Sequence, residues 1–166
     1  GDSDFLISYY SNMILKKLNS ECRRMYFEEY DHQEVLNCLG VNSLFGGVNI
    51  LALKLYATLN KKQIQDILYM LEHNANSFLI VEFLKSPTIT DAEYAKRFKA
   101  MAALFKPTAK LKDIFEVRLY PPFRDDMVKI LYNRACELGL KVDSSLLNFL
   151  LDVQHDDLAI AHNYLL

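Results

Sequence analysis

Apolar residues recur at two periods along this chain, and the alternation between them predicts its elements. Phe5, Leu6, Tyr9, Met13 and Leu18 fall near helical spacing and predict a helix over Asp4–Leu18, with Asp2 or Ser3 placed to cap it. The aromatic run from Met25 to Tyr30 predicts a strand with a turn after it. Asp31 then caps a short helix, Gln33 to Leu39, with Val35, Leu36 and Leu39 on its apolar side and Gly40 at its close. Val48 to Leu55 is an almost continuous apolar run, the pattern of a strand covered on both faces. Asn60 caps a helix to about Glu72, and Ser77 to Phe83 is a second buried strand. Ser86-Pro87-Thr88 marks a loop before a helix that starts at Thr90 or Asp91 and reaches about Phe105. Asp113 to Leu119 predicts a further strand. Helices alternating with short apolar strands imply an α/β fold with a parallel sheet and helices on both faces.

The rhythm changes at Pro121-Pro122, which interrupts hydrogen bonding and sets a boundary. Beyond it only helices are expected: Arg124 to Leu138 closed by Gly139, Asp143 to about Val153, and Asp156 to the end, with Leu140 and Val142 bridging two of them. The expected organisation is an α/β domain over 1–121 and a small three-helix, lid-like domain over 122–166. No internal repeat or low-complexity tract interrupts either part.

Composition narrows the functional classes. The 166 residues are 51% hydrophobic and 24% charged, with a net charge of -2 and a pI of about 6.1. Tight, non-specific nucleic-acid binding usually needs a strongly basic chain, so Lys16-Lys17 and Arg23-Arg24 read as solvated helix ends. Cys22, Cys38 and Cys136 form no C-x-x-C pair and imply neither a disulfide framework nor a zinc knuckle. Cys38 and Cys136 read as buried small hydrophobes, and the chain as one kept in a reducing cytosol. No apolar run reaches the roughly 18 residues of a membrane span.

A parallel sheet invites a search for a phosphate loop, and G-x-x-x-x-G-K-[ST] is missing. Gly1-Asp2-Ser3-Asp4-Phe5 leads into the first helix with one glycine and no lysine, and Asp2 and Asp4 would repel phosphate. A P-loop-type nucleotide-dependent enzyme is therefore disfavoured, and no cofactor is expected. Gly46-Gly47 lacks the G-x-G-x-x-G context of a dinucleotide site. His155 and His162, beside Asp156 and Asp157, lie seven residues apart on an expected helix, but metal ligands more often lie one turn apart. Surface histidines are the better reading. His32 and His73 are isolated, and Glu28-Glu29 and Asp125-Asp126 are adjacent acids that point to different faces. No catalytic centre and no metal site emerge.

One segment remains. Ser43-Leu44-Phe45-Gly46-Gly47 falls between a short helix and a buried strand, and its two neighbouring apolar side chains cannot both face the core by periodicity. The glycines after them permit a sharp turn. Such a turn is an anchor for a partner's pocket, since burying a Leu and a Phe stabilises a complex by roughly 1.5–3 kcal/mol each. The alternative is that Leu44 packs inward and Phe45 covers the sheet edge. A plain adaptor working through the helical tail is a further possibility on the residues alone.

The order of motifs resembles the delta subunit of the bacterial DNA polymerase III clamp loader. The resemblance runs along essentially the whole chain. It starts with Gly1-Asp2-Ser3-Asp4-Phe5-Leu6-Ile7, passes through Ser43-Leu44-Phe45-Gly46 and the Ser77-Phe78-Leu79-Ile80 strand, and includes Leu138-Gly139-Leu140-Lys141-Val142. It continues through the leucine-rich Leu146 to Leu151 and Asp157-Leu158 to the closing Asn163-Tyr164-Leu165-Leu166. The Ser-Leu-Phe-Gly run in this position is its most informative part. The resemblance implies a degenerate AAA+ (RecA-like) domain that binds no ATP, with its first strand preceding Gly1, then a small helical domain; a C-terminal collar domain is not in the chain. It implies that Leu44 and Phe45, preceded by Ser43 and followed by the turn-forming Gly46 and Gly47, bind the sliding clamp (the beta subunit) and open one clamp interface without ATP hydrolysis. Further implied partners are the delta prime and gamma/tau subunits, mainly through the collar, with DNA touched indirectly or weakly, in the cytoplasm. Gly40-Val41-Asn42 stands where family members can carry a glutamine.

Overall fold

The computed structural model describes residues 3–18, 20–41, 48–107, 111 and 113–165. The chain divides into two compact units, Gly1–Leu119 and Tyr120–Leu166.

In the first unit, three parallel strands, β1 (Cys22–Tyr26), β2 (Asn49–Leu55) and β3 (Ser77–Phe83), lie in the order β1-β2-β3. The register pairs Cys22 with Ile50 and Ile50 with Phe78 near one end, and Tyr26 with Lys54 and Lys54 with Glu82 near the other. β2 is central, and its apolar run is buried on both faces: Leu51, Leu53 and Leu55 toward one side, Ile50 and Ala52 toward the other. The first side receives α2 (His32–Gly40), α3 (Lys61–His73) and α4 (Asp91–Ala102), which contribute Val35, Leu39, Ile64, Ile67, Tyr94 and Met101 to the main core. Tyr94 stacks on Phe83 with centroids 5.6 Å apart, and its hydroxyl donates to the Phe83 carbonyl at 2.8 Å. The second side is covered by α1 (Asp4–Leu18), whose Ser8 hydroxyl donates to Glu82 at 3.3 Å and accepts from Lys54 at 3.3 Å. β1 is an outer strand with Arg23 and Arg24 in its middle, charges that discourage edge-to-edge pairing. Arg23 pairs with Glu34 of α2, and Arg24 bonds Asn12 of α1.

Local signals explain most boundaries. Ser3 caps α1 by accepting the Leu6 N–H at 3.4 Å, Asp31 caps α2 and Thr90 caps α4. Asn60 and Gln63 form a reciprocal capping box at α3. Two expectations are corrected. The strand read over Met25–Tyr30 lies instead at Cys22–Tyr26, and Phe27–Glu29 form a 3-10 turn. Aromatic propensity continues past the point where β2 stops supplying ladder partners, so pairing sets the limit. Asp113–Leu119 forms no strand: its described residues join none of the three ladders, and Phe115 is 86% exposed. Strand propensity expresses fit to a pleated neighbour, and that segment has none here.

The second unit holds α5 (Arg124–Glu137), α6 (Ser144–Val153) and α7 (Leu158–Asn163), packed around Ile130, Leu131, Ala135, Leu147, Leu151, Leu158 and Ala161. Gly139 closes α5 at φ +71, with Leu140 N–H donating to Ala135 O at 2.9 Å and Gly139 N–H to Cys136 O at 3.0 Å, the paired bonds of a Schellman end. The expected helix from Asp156 begins later. His155 and Asp156 take left-handed φ values of 51 and 61 and close α6 in the same manner, so α7 starts only after its cap, Asp157. Arg124 ties the N-terminus of α5 to α6 through Asn148 Oδ1 at 3.1 Å, Asn148 O at 2.7 Å and Asp152 at 2.6 Å, and reaches Asp156 as well. Cys136 is exposed rather than buried, and Cys38 is half-buried.

Candidate protein-binding site

Ser43, Leu44, Phe45, Gly46 and Gly47 lie outside the described residues, and their two flanks are well defined. The preceding residues are the last turn of α2 and Val41; the following ones are Val48 and the first residue of β2, Asn49. The start of β2 stands, by definition, at the amino-terminal end of the parallel strands, and the end of α2 is bonded to it through Val41 and Asn49. Small ligands of open parallel sheets bind at the opposite, carboxyl end.

Both flanks are anchored. The Asn74 side-chain amide donates to Leu39 O at 2.8 Å and to Val41 O at 3.1 Å. The Ser77 hydroxyl donates to Leu39 O at 2.7 Å, and the Asn49 side chain also donates to Val41 O. Asn49 N–H in turn donates to Asn76 O at 2.8 Å. Asn74 and Ser77 are buried, whereas Val41 is 57% exposed. Gly40 permits close approach to α3, because a Cβ there would meet the Met70 side chain. Sequence reasoning missed Asn74 and Ser77. The available signal was an Asn immediately after a helix, a position where a side-chain amide commonly serves backbone groups.

Beside this base, Glu21, Cys22, Arg23, Cys38, Val48 and Asn49 line an open groove. Burial raises the Cys22 thiol above its usual range, only partly countered by Arg24, and burial likewise raises Cys38 against Arg23. Both thiols stay protonated near neutrality and are poor nucleophiles.

The carboxyl end of the sheet carries other chemistry. Asp4 stands in the first turn of α1, and its carboxyl accepts the Lys85 backbone N–H, while Lys85 Nζ donates to Asp91 at 2.5 Å. Ser8, Lys54 and Glu82 complete this network and engage one another. A helix N-terminus favours an anion; here Asp4 occupies that place.

The remaining sequence candidates separate. His155 lies in the turn between α6 and α7, and His162 lies within α7, so they share no helix face. His32 bridges Tyr30 Oη at 3.0 Å and Asp66 at 3.2 Å, a link between α2 and α3. His73 Nδ1 lies 2.8 Å from Tyr69 O, and its ring packs on Tyr69 at 4.1 Å. Glu28-Glu29 fall in the 3-10 turn, and Asp125-Asp126 in the first turn of α5. Among the described residues, no group of three or more His, Cys, Asp or Glu side chains is placed to hold a metal ion. Among them, too, no helix is long and apolar enough to cross a membrane.

Residues 123–165 match a family model described as a middle domain, HP_1247_M. That match covers the helical unit. Over almost its whole length the chain is similar to a protein of Helicobacter pylori strain J99, 29% identical over 172 aligned residues that cover 98% of this chain and 50% of the relative. A protein of Helicobacter pylori strain 26695 is similar to the same extent. The chain therefore spans about half the length of the curated relatives it matches. No solved structure matches it.

Proposed function

We propose that this chain is the clamp-binding part of a delta subunit of a bacterial DNA polymerase III clamp loader, acting without catalysis of its own. On this reading the α/β unit is a degenerate AAA+ domain. Leu44 and Phe45 enter an apolar pocket on the sliding clamp, and a rigid base lets the surrounding contacts favour the open clamp interface. Opening needs no hydrolysis here, because differential affinity for the open form shifts the equilibrium. The observation that supports the reading is the bonding of the residues that precede and follow 42–47 in sequence: Leu39 and Val41 are held by Asn74 and Ser77, and Asn49 donates to Val41. The helical unit matches a model described as a middle domain, and the relatives are about twice as long as the aligned stretch. Asp4 at the α1 N-terminus is consistent with a domain that takes no nucleotide phosphate.

Replacing Leu44 and Phe45 together by alanine should weaken binding to the cognate clamp by about 3–6 kcal/mol, the apolar burial of both side chains, while leaving the thermal midpoint nearly unchanged. Wild-type clamp affinity in the double variant, measured by calorimetry, would overturn the reading. A second reading has one observation in its favour. Leu146, Phe149 and Val153 form an exposed apolar stripe on α6, a surface suited to an adaptor contact. In a pull-down without clamp or loader subunits, partner capture lost on Leu146→Ser and Phe149→Ser and kept on Leu44→Ala and Phe45→Ala would favour that second reading.

A further inference from the structure

Two hydrogen bonds fix how β3 is turned in the sheet. Asn49 N–H donates to Asn76 O and Leu84 N–H to Leu55 O, both at 2.8 Å, within the unbroken parallel register that pairs Asn49–Leu55 with Ser77–Phe83. Backbone groups alternate in direction along a strand, so Phe78, Ile80 and Glu82 turn theirs to β2, and Ser77, Leu79, Val81 and Phe83 turn theirs outward. The ends of this outward row are closed. Ser77 N–H donates to Asn74 O at 3.0 Å, and Phe83 O accepts the Tyr94 hydroxyl at 2.8 Å. Leu79 and Val81 stand between them, each with an N–H and a carbonyl that meet no strand among the described residues, where β3 is paired with β2 alone.

Backbone donors and acceptors require partners, and a free edge is a template for another strand. The two edges of this sheet are built differently. β1 carries Arg23 and Arg24, whereas Phe78-Leu79-Ile80-Val81 holds no charge, no proline and no bulge. Phe78 is 44% exposed and the next three residues are half-buried. We infer that this edge is a self-association surface, on which a second copy of the chain pairs its own β3 antiparallel about a two-fold axis at Ile80. The occupant follows from symmetry. Leu79 and Val81 flank Ile80, so Leu79 of one copy exchanges both N–H···O bonds with Val81 of the other, and Val81 with Leu79. Ile80 then faces Ile80, with Phe78 on the diagonal. Glu82 is the charged residue of the strand; it is 3% exposed, accepts from Ser8 and faces Phe78 of the second copy, so no like charges meet. So short a junction makes a weak, concentration-dependent dimer. It uses neither Leu44 nor Phe45 and stands apart from the clamp reading.

Sedimentation velocity of the whole chain, from micromolar concentration to about 1 mM, should show a monomer passing to a dimer. Amide exchange locates the contact: protection of Leu79 and Val81 should rise with the dimer fraction, while Ile80, whose N–H is turned to β2, stays constant. Val81→Pro removes an outward N–H, a loss that an edge strand tolerates, and should weaken the dimer by about tenfold or more. Ile80→Lys sets like charges opposite each other and should do the same. Circular dichroism checks that both variants fold; if either does not, the exchange series on the wild-type chain decides alone. A chain that stays monomeric throughout would overturn the inference. So would a dimer in which Leu79 and Val81 gain no protection, or protection of both amides that is equal at every concentration, the mark of an edge covered from within one copy.

Discussion

Asp4 shows how one side chain can report on its surroundings. Its carboxyl titrates above the usual 3.8, chiefly because crowding at the sheet end removes water from it, against the opposing pull of Lys54 and the Lys85 backbone N–H. The folded state therefore holds this proton more tightly than the unfolded chain. The contribution favours folding below pH 3.8 and is lost as pH rises through the folded-state value. Asp4→Asn should flatten that segment of the stability profile, followed by urea unfolding from acid to neutral pH, and leave stability near neutrality unchanged or slightly raised. An unaltered profile would show that Asp4 is not the titrating group. Asp4 was legible in the sequence as an obstacle to phosphate. Its contact with Lys85, 81 positions away, was not, because nothing local encodes which strand end α1 lies against.

At the scale of elements, the strongest local signals were honoured where several agreed. Asn60 and Gln63 stand three apart before an apolar helical run, and both capping-box bonds form at 2.9 Å. Asn60→Ala should lower unfolding free energy by about 1 kcal/mol, seen as a lower urea midpoint at unchanged slope. An unchanged midpoint would mean that the cap is satisfied by water. β2 was legible for a similar reason, since its continuous apolar run bounded by turns fits a covered strand. β3 forms where expected but is buried only at Ser77, Glu82 and Phe83, with Phe78 exposed, because it lies at the side of the described sheet. Asp113–Leu119 has equally good strand composition and no ladder, because a strand is a relation between two segments and composition describes one. The His155-Asp156 turn escaped the sequence reading because non-glycine residues rarely take left-handed φ, although His and Asp are among those that do so most often.

The whole molecule is organised as two compact units meeting in sequence at Leu119 and Tyr120. The residues around that point carry exposed aromatics, Phe115 at 86% and Phe123 at 83%. Limited chymotrypsin digestion should cut first after Phe115 or Phe123, while the Tyr120–Pro121 bond resists because proline follows it. Mass spectrometry of the earliest fragments checks this; first cuts inside α3 or α5 would contradict the division.

By itself the sequence determined the α/β class, the helical second part, most caps and the central burial of β2, all set by period and by residues acting within one turn of themselves. It also singled out Leu44 and Phe45, because two adjacent apolar residues before a diglycine fit neither period. Only the tertiary structure decided that the flanks of that pair are gripped by Asn49, Asn74 and Ser77, and that Ser8, Lys54 and Glu82 meet at the other end of the sheet. Those groups come from separate elements, and their meeting depends on strand order and register, which arise from how the whole chain packs.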